Sequence, residues 1–273
     1  MGALVSSRGS GLGRQEILEG LRRIGVAPGM RLMVHSSLSS FGRVEGGAAS
    51  VAGALMEAVG PEGTLMMPTF NHGAPFRPGG PGYYDPRETP TSNGAIPEVF
   101  WRMPGVARSL NPTHPFAAWG RDAERFTAHH HETLTMGGES PLGLLAREDG
   151  YQLNLGTSHE TTTAKHVAEM MREVPCLGRE TEWHEVRLPG GTTARHHTWG
   201  WRGGECPLTE SGKLIEEEME RRGAQKKGSI GPCPTTIFRI WDCLEAIWHL
   251  LDNGHGAHPP CSRCPIRPGQ ARP

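Results

Sequence analysis

The chain has 273 residues, of which 36% are hydrophobic, and a formal net charge of -1. A chain of this length fits one large α/β domain or two modest ones. The near-zero charge provides no overall basic field for nucleic acid or an anionic membrane. The first residues lack the apolar segment of a signal peptide, and no apolar run approaches the roughly 18 residues that cross a bilayer. These observations predict a cytoplasmic protein that binds neither nucleic acid nor a membrane.

The N-terminal quarter of the chain predicts a helix followed by a strand–helix–strand unit. Apolar residues recur at helical spacing over 14–25, after a Gly- and Ser-rich stretch, 1–13, that we expect to be a flexible leader. A buried strand is predicted over 31–36, a second helix over 46–60 and a second strand over 64–70. A strand–helix–strand order is typical of a parallel or mixed sheet.

The rest of the chain predicts further elements of one α/β domain that extends over 14–252. The Gly-, Pro- and Tyr-rich stretch 72–90 is typical of a long ordered loop, where substrate contacts are common. A Gly- and Pro-rich tail follows the domain over 253–273. The remaining predicted elements are a helix over 93–103 capped at or near Asn93, a strand over 151–157, a helix over 159–171 that begins directly after it, strands over 181–208, and late helices over 211–223 and 234–251.

The segment LNLGTSHETTTAKHVAEMM carries the strongest indication of chemistry. A strand that ends at Leu155 leads into a polar turn and a helix, and ligands gather where strand ends meet helix N-termini. On this helix His166 shares a face with Thr163 and with Glu169, each three residues away. A histidine whose tautomer is fixed by a carboxylate is suited to general-base catalysis. An N-capping turn beside a half-buried histidine is the simpler explanation of the same spacing.

A second polar segment, VHSSLSSFG, leaves the first predicted strand. Small hydroxyl side chains and backbone N–H groups at a strand end can hold phosphate or pantetheine, although a polar connecting loop is the simpler explanation. The sequence contains no GxxxxGKS/T phosphate loop, and no GxGxxG stands between a strand and a helix. It also lacks the GxSxG of a nucleophile elbow, which leaves serine hydrolysis a weak alternative.

Cysteines and histidines near the C-terminus fit a structural zinc site that would clamp the tail. Cys261 and Cys264 form a CxxC, which supplies two thiolates from one tight turn, and zinc takes four tetrahedral S or N ligands. Because no signal peptide is present, the six cysteines are expected to be reduced or metal-bound. Two surface thiols explain the CxxC equally well. The candidates for the second pair of ligands are Cys206 with His258, His255, His196 or His197.

Three long stretches of the chain carry a family resemblance. They are VHSSLSSFGRVEGGAASVAGALMEAVGPEGTLMMPTF, YYDPRETPTSNGAIPEVFWRMPGVARSLNPTHPFAAWG and ESPLGLLAREDGYQLNLGTSHETTTAKHVAE. Together they resemble the aminoglycoside 3-N-acetyltransferase family, and the HPPCSRC ending with the upstream Cys206 is similar to its apramycin- and gentamicin-acetylating branch. The resemblance implies the layered α/β/α antibiotic N-acetyltransferase fold with a mixed central sheet, which differs from the GNAT fold.

The resemblance also implies a reaction and the residues that perform it. Acetyl-CoA would donate its acetyl group directly to the 3-amino group of an aminoglycoside within a ternary complex, which would confer antibiotic resistance. His166 corresponds to the general base of the family, with Glu160 and Thr163 as further catalytic candidates. The implied acetyl-CoA contacts are His35, Ser36, Ser37, Leu38 and Ser39, with Thr69 near the thioester.

Recognition of a polycationic acceptor requires several carboxylates around it. Related enzymes carry a group of acids just before the position of Cys206, whereas the corresponding stretch here, HHTWGWRGGEC, has one acidic residue. The candidate acceptor contacts are Asp85, Glu88, Glu98, His159 and Glu205. The zinc ligands favoured by the resemblance are Cys206, His258, Cys261 and Cys264.

Two other functions stay open at this point. One is acetylation of a different amine metabolite on the same fold, and the other is a zinc-stabilised binding or hydrolytic protein without acetyl transfer. Release of the CoA thiol with different amines would separate the three hypotheses. The apolar late helices either pack internally or form a dimer face, so both a monomer and a homodimer are compatible with the sequence.

Overall fold

The computed structural model of the chain describes residues 11–174, 183–188, 190–198 and 212–255. Its strands are Arg31–Ser36 (β1), Thr64–Pro68 (β2), Tyr83–Tyr84 (β3), Ala107–Arg108 (β4), Phe116–Gly120 (β5), Tyr151–Leu155 (β6), Trp183–Arg187 (β7), Thr193–His197 (β8), Gln225–Ile230 (β9) and Cys233–Arg239 (β10). Its α-helices are Arg14–Ile24 (α1), Gly47–Val59 (α2), Ala95–Phe100 (α3), Ala123–Thr127 (α4), Pro141–Arg147 (α5), Ala164–Met171 (α6), Lys213–Arg221 (α7) and Ile240–Leu250 (α8).

Seven of these strands form one mixed sheet in the order β4–β5–β2–β1–β6–β10–β9. The three central strands β2, β1 and β6 are parallel, whereas the strands on either side of them pair antiparallel. Parallel neighbours need a crossover connection, and α2 supplies it between β1 and β2. The mixed sheet predicted from the strand–helix–strand unit is therefore confirmed. A smaller three-stranded sheet has the order β3–β7–β8.

Side chains alternate across the sheet and divide the apolar core into two layers. Leu32 and Val34 of β1 belong to a cluster shared with α1, α2 and α3. Met33, which lies between them, belongs to the opposite cluster with α4, α5, α6, α7 and α8. Helices therefore cover both faces of the sheet, as buried parallel strands require. This arrangement is the expected layered α/β/α fold.

The prediction of a helix over 234–251 is wrong for its first part. Residues Cys233–Arg239 form β10, and the helix begins at Ile240. Thr235, Thr236 and Ile237 are β-branched residues that fit a pleated surface, and they pair antiparallel with β6. The neighbouring β9, QKKGSI, was not predicted because it is polar and lies at the sheet edge. The apolar face of α8 packs internally against α6 and α7.

The helix predicted to begin at His159 begins instead at Ala164. A separate 3-10 turn occupies His159–Thr161, and the Ser158 hydroxyl caps it by accepting from the N–H of Glu160. Thr162 then adopts an extended conformation, with φ -66° and ψ 101°. Because this residue interrupts the helical hydrogen bonds, the 3-10 turn and α6 are two separate elements beside the carboxyl end of β6.

The stretch 72–90 is mostly loop, as predicted, and contains the short strand β3. The N-cap of α3 is Gly94, the neighbour of Asn93. The Asn93 side chain instead accepts a hydrogen bond from the N–H of Phe70, which ties this loop to the end of β2. Within the described ranges, no helix has the length and apolar character needed to span a membrane.

Candidate active site

The carboxyl ends of the parallel central strands β2, β1 and β6 lie on the same side of the sheet, beside a cleft of about 280 Å³. The chain leaves β1 for α2 on one face of the sheet and leaves β6 for α6 on the other. Where successive connections diverge in this way they leave a crevice, and α/β proteins bind ligands there. The residues that line the cleft include His35, Ser36, Glu160, Thr163, Lys165 and His166.

A glycine shapes the turn at the end of β6. Gly156 has a φ of +67°, and a Cβ atom on it would lie 1.8 Å from the Oγ of Ser40. Ser40 belongs to the 3-10 turn Leu38–Phe41 that follows β1, so any side chain at position 156 would displace that turn. The N–H of Ser37 also donates to the Leu155 carbonyl at 2.8 Å. The ends of β1 and β6 are therefore held together beneath the cleft.

His166 and Glu169 form a hydrogen-bonded pair on α6. The Nδ1 of His166 lies 3.2 Å from the Oε2 of Glu169, and the imidazole is 28% exposed whereas the carboxylate is 1% exposed. A carboxylate oxygen accepts, so Nδ1 carries the hydrogen and Nε2 keeps its lone pair. The i, i+3 spacing noted in the sequence thus yields a histidine whose tautomer is set by a buried acid.

His35 and Thr163 lie opposite each other across the floor of the cleft. The Nε2 of His35 is 3.2 Å from the Oγ1 of Thr163, and both side chains are buried. Burial lowers the pKa of His35 to about 3, and the Lys165 ammonium acts in the same direction. His35 is consequently a neutral hydrogen-bonding group at physiological pH and provides no positive charge for a phosphate.

Lys165 is a buried cation that the sequence analysis missed. Its side chain is 5% exposed and lines the cleft, and its Nζ donates to the backbone carbonyl of Glu160 at 2.7 Å. This bond ties the 3-10 turn to α6 and leaves the exposed Glu160 side chain at the cleft rim. Lysine is among the residues least often buried, so nothing in the sequence pattern marked it.

The remaining predicted acetyl-CoA contacts lie in three different positions relative to the cleft. Ser36 lines the cleft, and its Oγ is buried without a hydrogen-bond partner among the described residues. Ser37, Leu38 and Ser39 lie on the adjoining turn, where the Oγ atoms of Ser37 and Ser39 are 3.0 Å apart. Thr69 is fully buried and does not line the cleft. Its hydroxyl donates to the Pro115 carbonyl at 2.9 Å.

Asp85 and Glu88, two candidate acceptor contacts, line a second cavity of about 410 Å³ formed within residues 71–92. Asp85 is 1% exposed, and its Oδ2 lies 3.8 Å from the Nη1 of Arg187. Glu88 is 68% exposed and lies 3.7 Å from the same guanidinium. The two carboxylates therefore share the Arg187 guanidinium of β7, and neither of them lines the cleft.

Glu98 and His159 are engaged elsewhere in the structure. The Glu98 carboxylate accepts from the N–H of Thr91 at 2.8 Å and forms an ion pair with Arg102. His159 is buried, stacks on Phe238 and has its Nε2 2.7 Å from an oxygen of Gln225. Neither residue lines the cleft. The last candidate, Glu205, lies outside the described residues.

Two further histidines of the cleft wall, His72 and His114, were not predicted. The Nδ1 of His72 is 3.2 Å from the Nε2 of His114, whose Nδ1 is 2.8 Å from the Oγ1 of Thr113. Burial lowers the pKa of His114 well below its usual value, and His72 and His166 act in the same direction. The two histidines are 42 residues apart in the chain, so no local spacing could have joined them.

The zinc site predicted from the sequence is built on cysteines and a histidine of the C-terminal part of the chain. Its favoured ligands, Cys206, His258, Cys261 and Cys264, all lie outside the described residues. Within the ranges that the structure does describe, no group of three or more His, Cys, Asp or Glu residues is arranged to hold a metal ion. Zinc binding therefore stays a prediction from the sequence.

Comparison with known proteins shows which family this chain resembles. The model of the aminoglycoside 3-N-acetyltransferase family matches residues 33–252. The aminoglycoside N(3)-acetyltransferase IV of Salmonella sp is 37% identical over 253 residues, which cover 85% of this chain and 84% of that protein. The aminoglycoside N(3')-acetyltransferase-like protein YokD of Bacillus subtilis (strain 168) is 36% identical over 174 residues, which cover 57% of this chain and 64% of that protein.

Solved structures agree with the sequence comparisons. The apoenzyme of the aminoglycoside acetyltransferase AAC(3)-IVa superposes with a TM-score of 0.75 at 29% identity, over 96% of this chain and 97% of that one. A binary complex of AAC-IIIb with CoASH gives a TM-score of 0.77 at 25% identity, over 90% of this chain and 98% of that one. Because the family model matches most of its length, this chain belongs to the aminoglycoside 3-N-acetyltransferase family, whose members are acyltransferases.

Proposed function

We propose that the chain transfers the acetyl group of acetyl-CoA to the 3-amino group of an aminoglycoside, directly within a ternary complex, with His166 as the general base. The observation that carries the proposal is the half-buried His166 held by Glu169 in a cleft at the strand ends. The relatives support its substrates, because AAC-IIIb has been solved with CoASH and a His-to-Ala variant of AAC(3)-IVa with a gentamicin and with apramycin.

The chemistry begins with removal of a proton from the acceptor. Aminoglycoside amines are mostly protonated at neutral pH, and only the free amine has a lone pair for attack on the thioester carbon. The Nε2 of His166 is the basic nitrogen, because Nδ1 donates to Glu169. The buried Glu169 carboxylate then stabilises the imidazolium. After the amine nitrogen has attacked, the C–S bond breaks, and the departing CoA sulfur takes up the proton that the nitrogen loses as the amide forms.

Charge that develops on the thioester oxygen requires hydrogen-bond donors in the same cleft. With the Nε2–H of neutral His35 donating to its oxygen at 3.2 Å, Thr163 at the N-terminal end of α6 keeps its hydroxyl hydrogen for the thioester oxygen. The Ser36 hydroxyl, buried and without a partner among the described residues, is a second candidate donor. Donors that are already oriented before the reaction stabilise such an oxyanion without reorganisation.

Acceptor recognition would use carboxylates at the cleft rim. Glu160 is exposed beside the cleft and can attract an ammonium group of the aminoglycoside. Asp85 and Glu88 stay candidate contacts for a more distant ring, although Arg187 already lies within 4 Å of both carboxylates. Glu98, His159 and Glu205 likewise stay predictions.

The decisive variant is His166→Ala. Thiol release is measured with acetyl-CoA and either gentamicin or apramycin. We expect kcat to fall by about 10²- to 10⁴-fold, the usual contribution of general-base assistance, while acetyl-CoA affinity by calorimetry is retained. Glu169→Gln keeps the volume and an accepting oxygen but loses the charge, so a smaller fall of roughly 10- to 100-fold is expected.

A matched control is His129→Ala. His129 is 73% exposed, pairs with Glu132 and does not line the cleft, so its removal should leave kcat at the wild-type value. An unchanged kcat for His166→Ala would remove that residue from the role. Turnover of an unrelated primary amine but of neither antibiotic would favour the other amine metabolites. Absence of thiol release with every amine would favour a binding or hydrolytic protein.

Zinc stays a separate proposal that concerns the C-terminal tail. When bound, zinc would crosslink Cys206, His258, Cys261 and Cys264 and hold the tail against the body of the protein. The metal content of the purified wild type and of Cys261→Ser tests this. We expect one zinc per wild-type chain and substantially less in the variant, whereas equal stoichiometry would exclude Cys261 as a ligand.

A further inference from the structure

His72 adopts a backbone conformation that is unusual for its residue type. Its φ is +50°, in the left-handed region where residues other than glycine rarely lie. The N–H groups of Asn71 and His72 both donate to the Thr113 carbonyl at 3.0 Å. The Asn71 side chain also donates to the Pro112 carbonyl and accepts from the N–H of Gly73. The surrounding hydrogen bonds thus impose a conformation that costs free energy, and such strain concentrates at functional sites.

The His72 side chain lines the cleft, and its ring is held in place by contacts with two other rings. The His72 ring packs edge-on against His114, with ring centroids 5.0 Å apart, and against Phe70 at 5.7 Å. Its Nδ1 is engaged with the Nε2 of His114 at 3.2 Å. Burial, and to a smaller extent the Arg77 guanidinium, lowers the pKa of His72 below its usual value. The ring is therefore neutral near pH 7, and Nε2 is the nitrogen left for a ligand.

His72 and His166 face the same cleft from different elements. His72 lies on the loop after β2 and His166 on α6, and His114 is close enough to both to interact with each electrostatically. A ligand whose amine sits at His166 can therefore present a second polar group to His72. Neutral imidazole Nε2 can hydrogen-bond a hydroxyl or an uncharged amino group, either as acceptor or as donor.

We propose that His72 is an acceptor-binding residue that hydrogen-bonds a hydroxyl or amino substituent of a polyhydroxylated amine whose reacting nitrogen lies at His166. The proposal rests on the proposed function. It explains why a histidine occupies a position that Gly or Asn would occupy with less strain. It also explains why the ring is held on one edge by His114 while its other nitrogen stays available.

The variants His72→Gly and His72→Asn test the proposal, because both residues accept the left-handed conformation and neither supplies the imidazole. With apramycin as acceptor, we expect KM to rise roughly 3- to 10-fold, the equivalent of one hydrogen bond between neutral groups. The KM for acetyl-CoA and kcat should change less than about twofold, since a neutral contact away from the reacting atoms leaves the chemical step intact. The thermal midpoint should not fall, because strain is released.

Asp149→Gly is the matched control. Asp149 also has a positive φ, +55°, but lies in the turn before β6 and does not line the cleft. Relief of strain there should leave the KM for apramycin unchanged. An unchanged KM for apramycin in both His72 variants, or an equal rise in KM for both substrates, would overturn the proposal in favour of a structural role.

Calorimetric titration of apramycin without acetyl-CoA separates this proposal from the function it rests on. If the wild type binds apramycin but releases no thiol, the proposed function fails while weaker binding by His72→Asn still supports the acceptor-binding role. Equal binding by wild type and His72→Asn would overturn that role whatever the turnover. A wild-type protein that does not bind apramycin would overturn both.

Discussion

Acidification should destabilise the protein through its buried histidines, and His130 allows this effect to be calculated. The His130 ring is 1% exposed. Its Nε2 lies 2.8 Å from the Thr135 carbonyl, which can only accept, so Nε2 carries the hydrogen and Nδ1 accepts from the Ser109 hydroxyl at 2.8 Å. Burial lowers the pKa of His130 to about 4. The neutral, fully hydrogen-bonded ring is therefore the form that stabilises the fold.

The sign and size of the effect follow from the difference between the folded and unfolded pKa values. The unfolded chain, with a His pKa of about 6.5, binds the proton first as the pH falls. The stabilisation is thus complete above about pH 6.5 and is lost between that pH and about pH 4. Lowering the pH from 7.5 to 5.0 should cost about 2 kcal/mol through His130 alone. His35, with a pKa of about 3, should add a similar amount.

Urea unfolding of the wild type and of His130→Gln at both pH values measures this difference. Glutamine retains a donor for Thr135 and an acceptor for Ser109 but does not titrate. We expect the loss of unfolding free energy between pH 7.5 and 5.0 to be about 2 kcal/mol smaller in the variant. Equal losses in both proteins, with coincident transitions by fluorescence and circular dichroism, would refute the reasoning about His130.

Two further predictions concern residues that hold the turn after β6 in place. Gly156→Ala should lower the free energy of unfolding by at least about 2 kcal/mol, because it combines a positive φ with a clash against Ser40. Adding Ser40→Gly should restore part of the lost free energy. A Gly156→Ala protein as stable as the wild type would contradict the steric argument. Thr162→Val should cost about 1–3 kcal/mol in urea unfolding, because Thr162 accepts from buried Gln152 at 3.0 Å. A variant as stable as the wild type would show that Gln152 finds another partner.

The sequence determined the features that depend on local periodicity. Short continuous apolar runs in β1 and β2 and the helical pattern between them predicted the strand–helix–strand unit and a parallel or mixed sheet. The layered α/β/α arrangement was implied by the family resemblance. The i, i+3 spacing of His166 and Glu169 predicted their pairing for the same reason, since helix geometry alone brings such side chains together. The family resemblance rested on three long contiguous stretches of sequence between Val34 and Glu169.

Only the tertiary structure decided the properties that depend on burial and on distant partners. The segment Cys233–Arg239 became a strand because β6 was available to pair with it, although its sequence continues into a helix. Lys165 is buried, His35 is neutral, and His72 meets His114 because the fold removes water from these groups and joins loops far apart in the chain. Desolvation and long-range contacts are properties of the packed molecule, so no pattern of neighbouring residues encodes them.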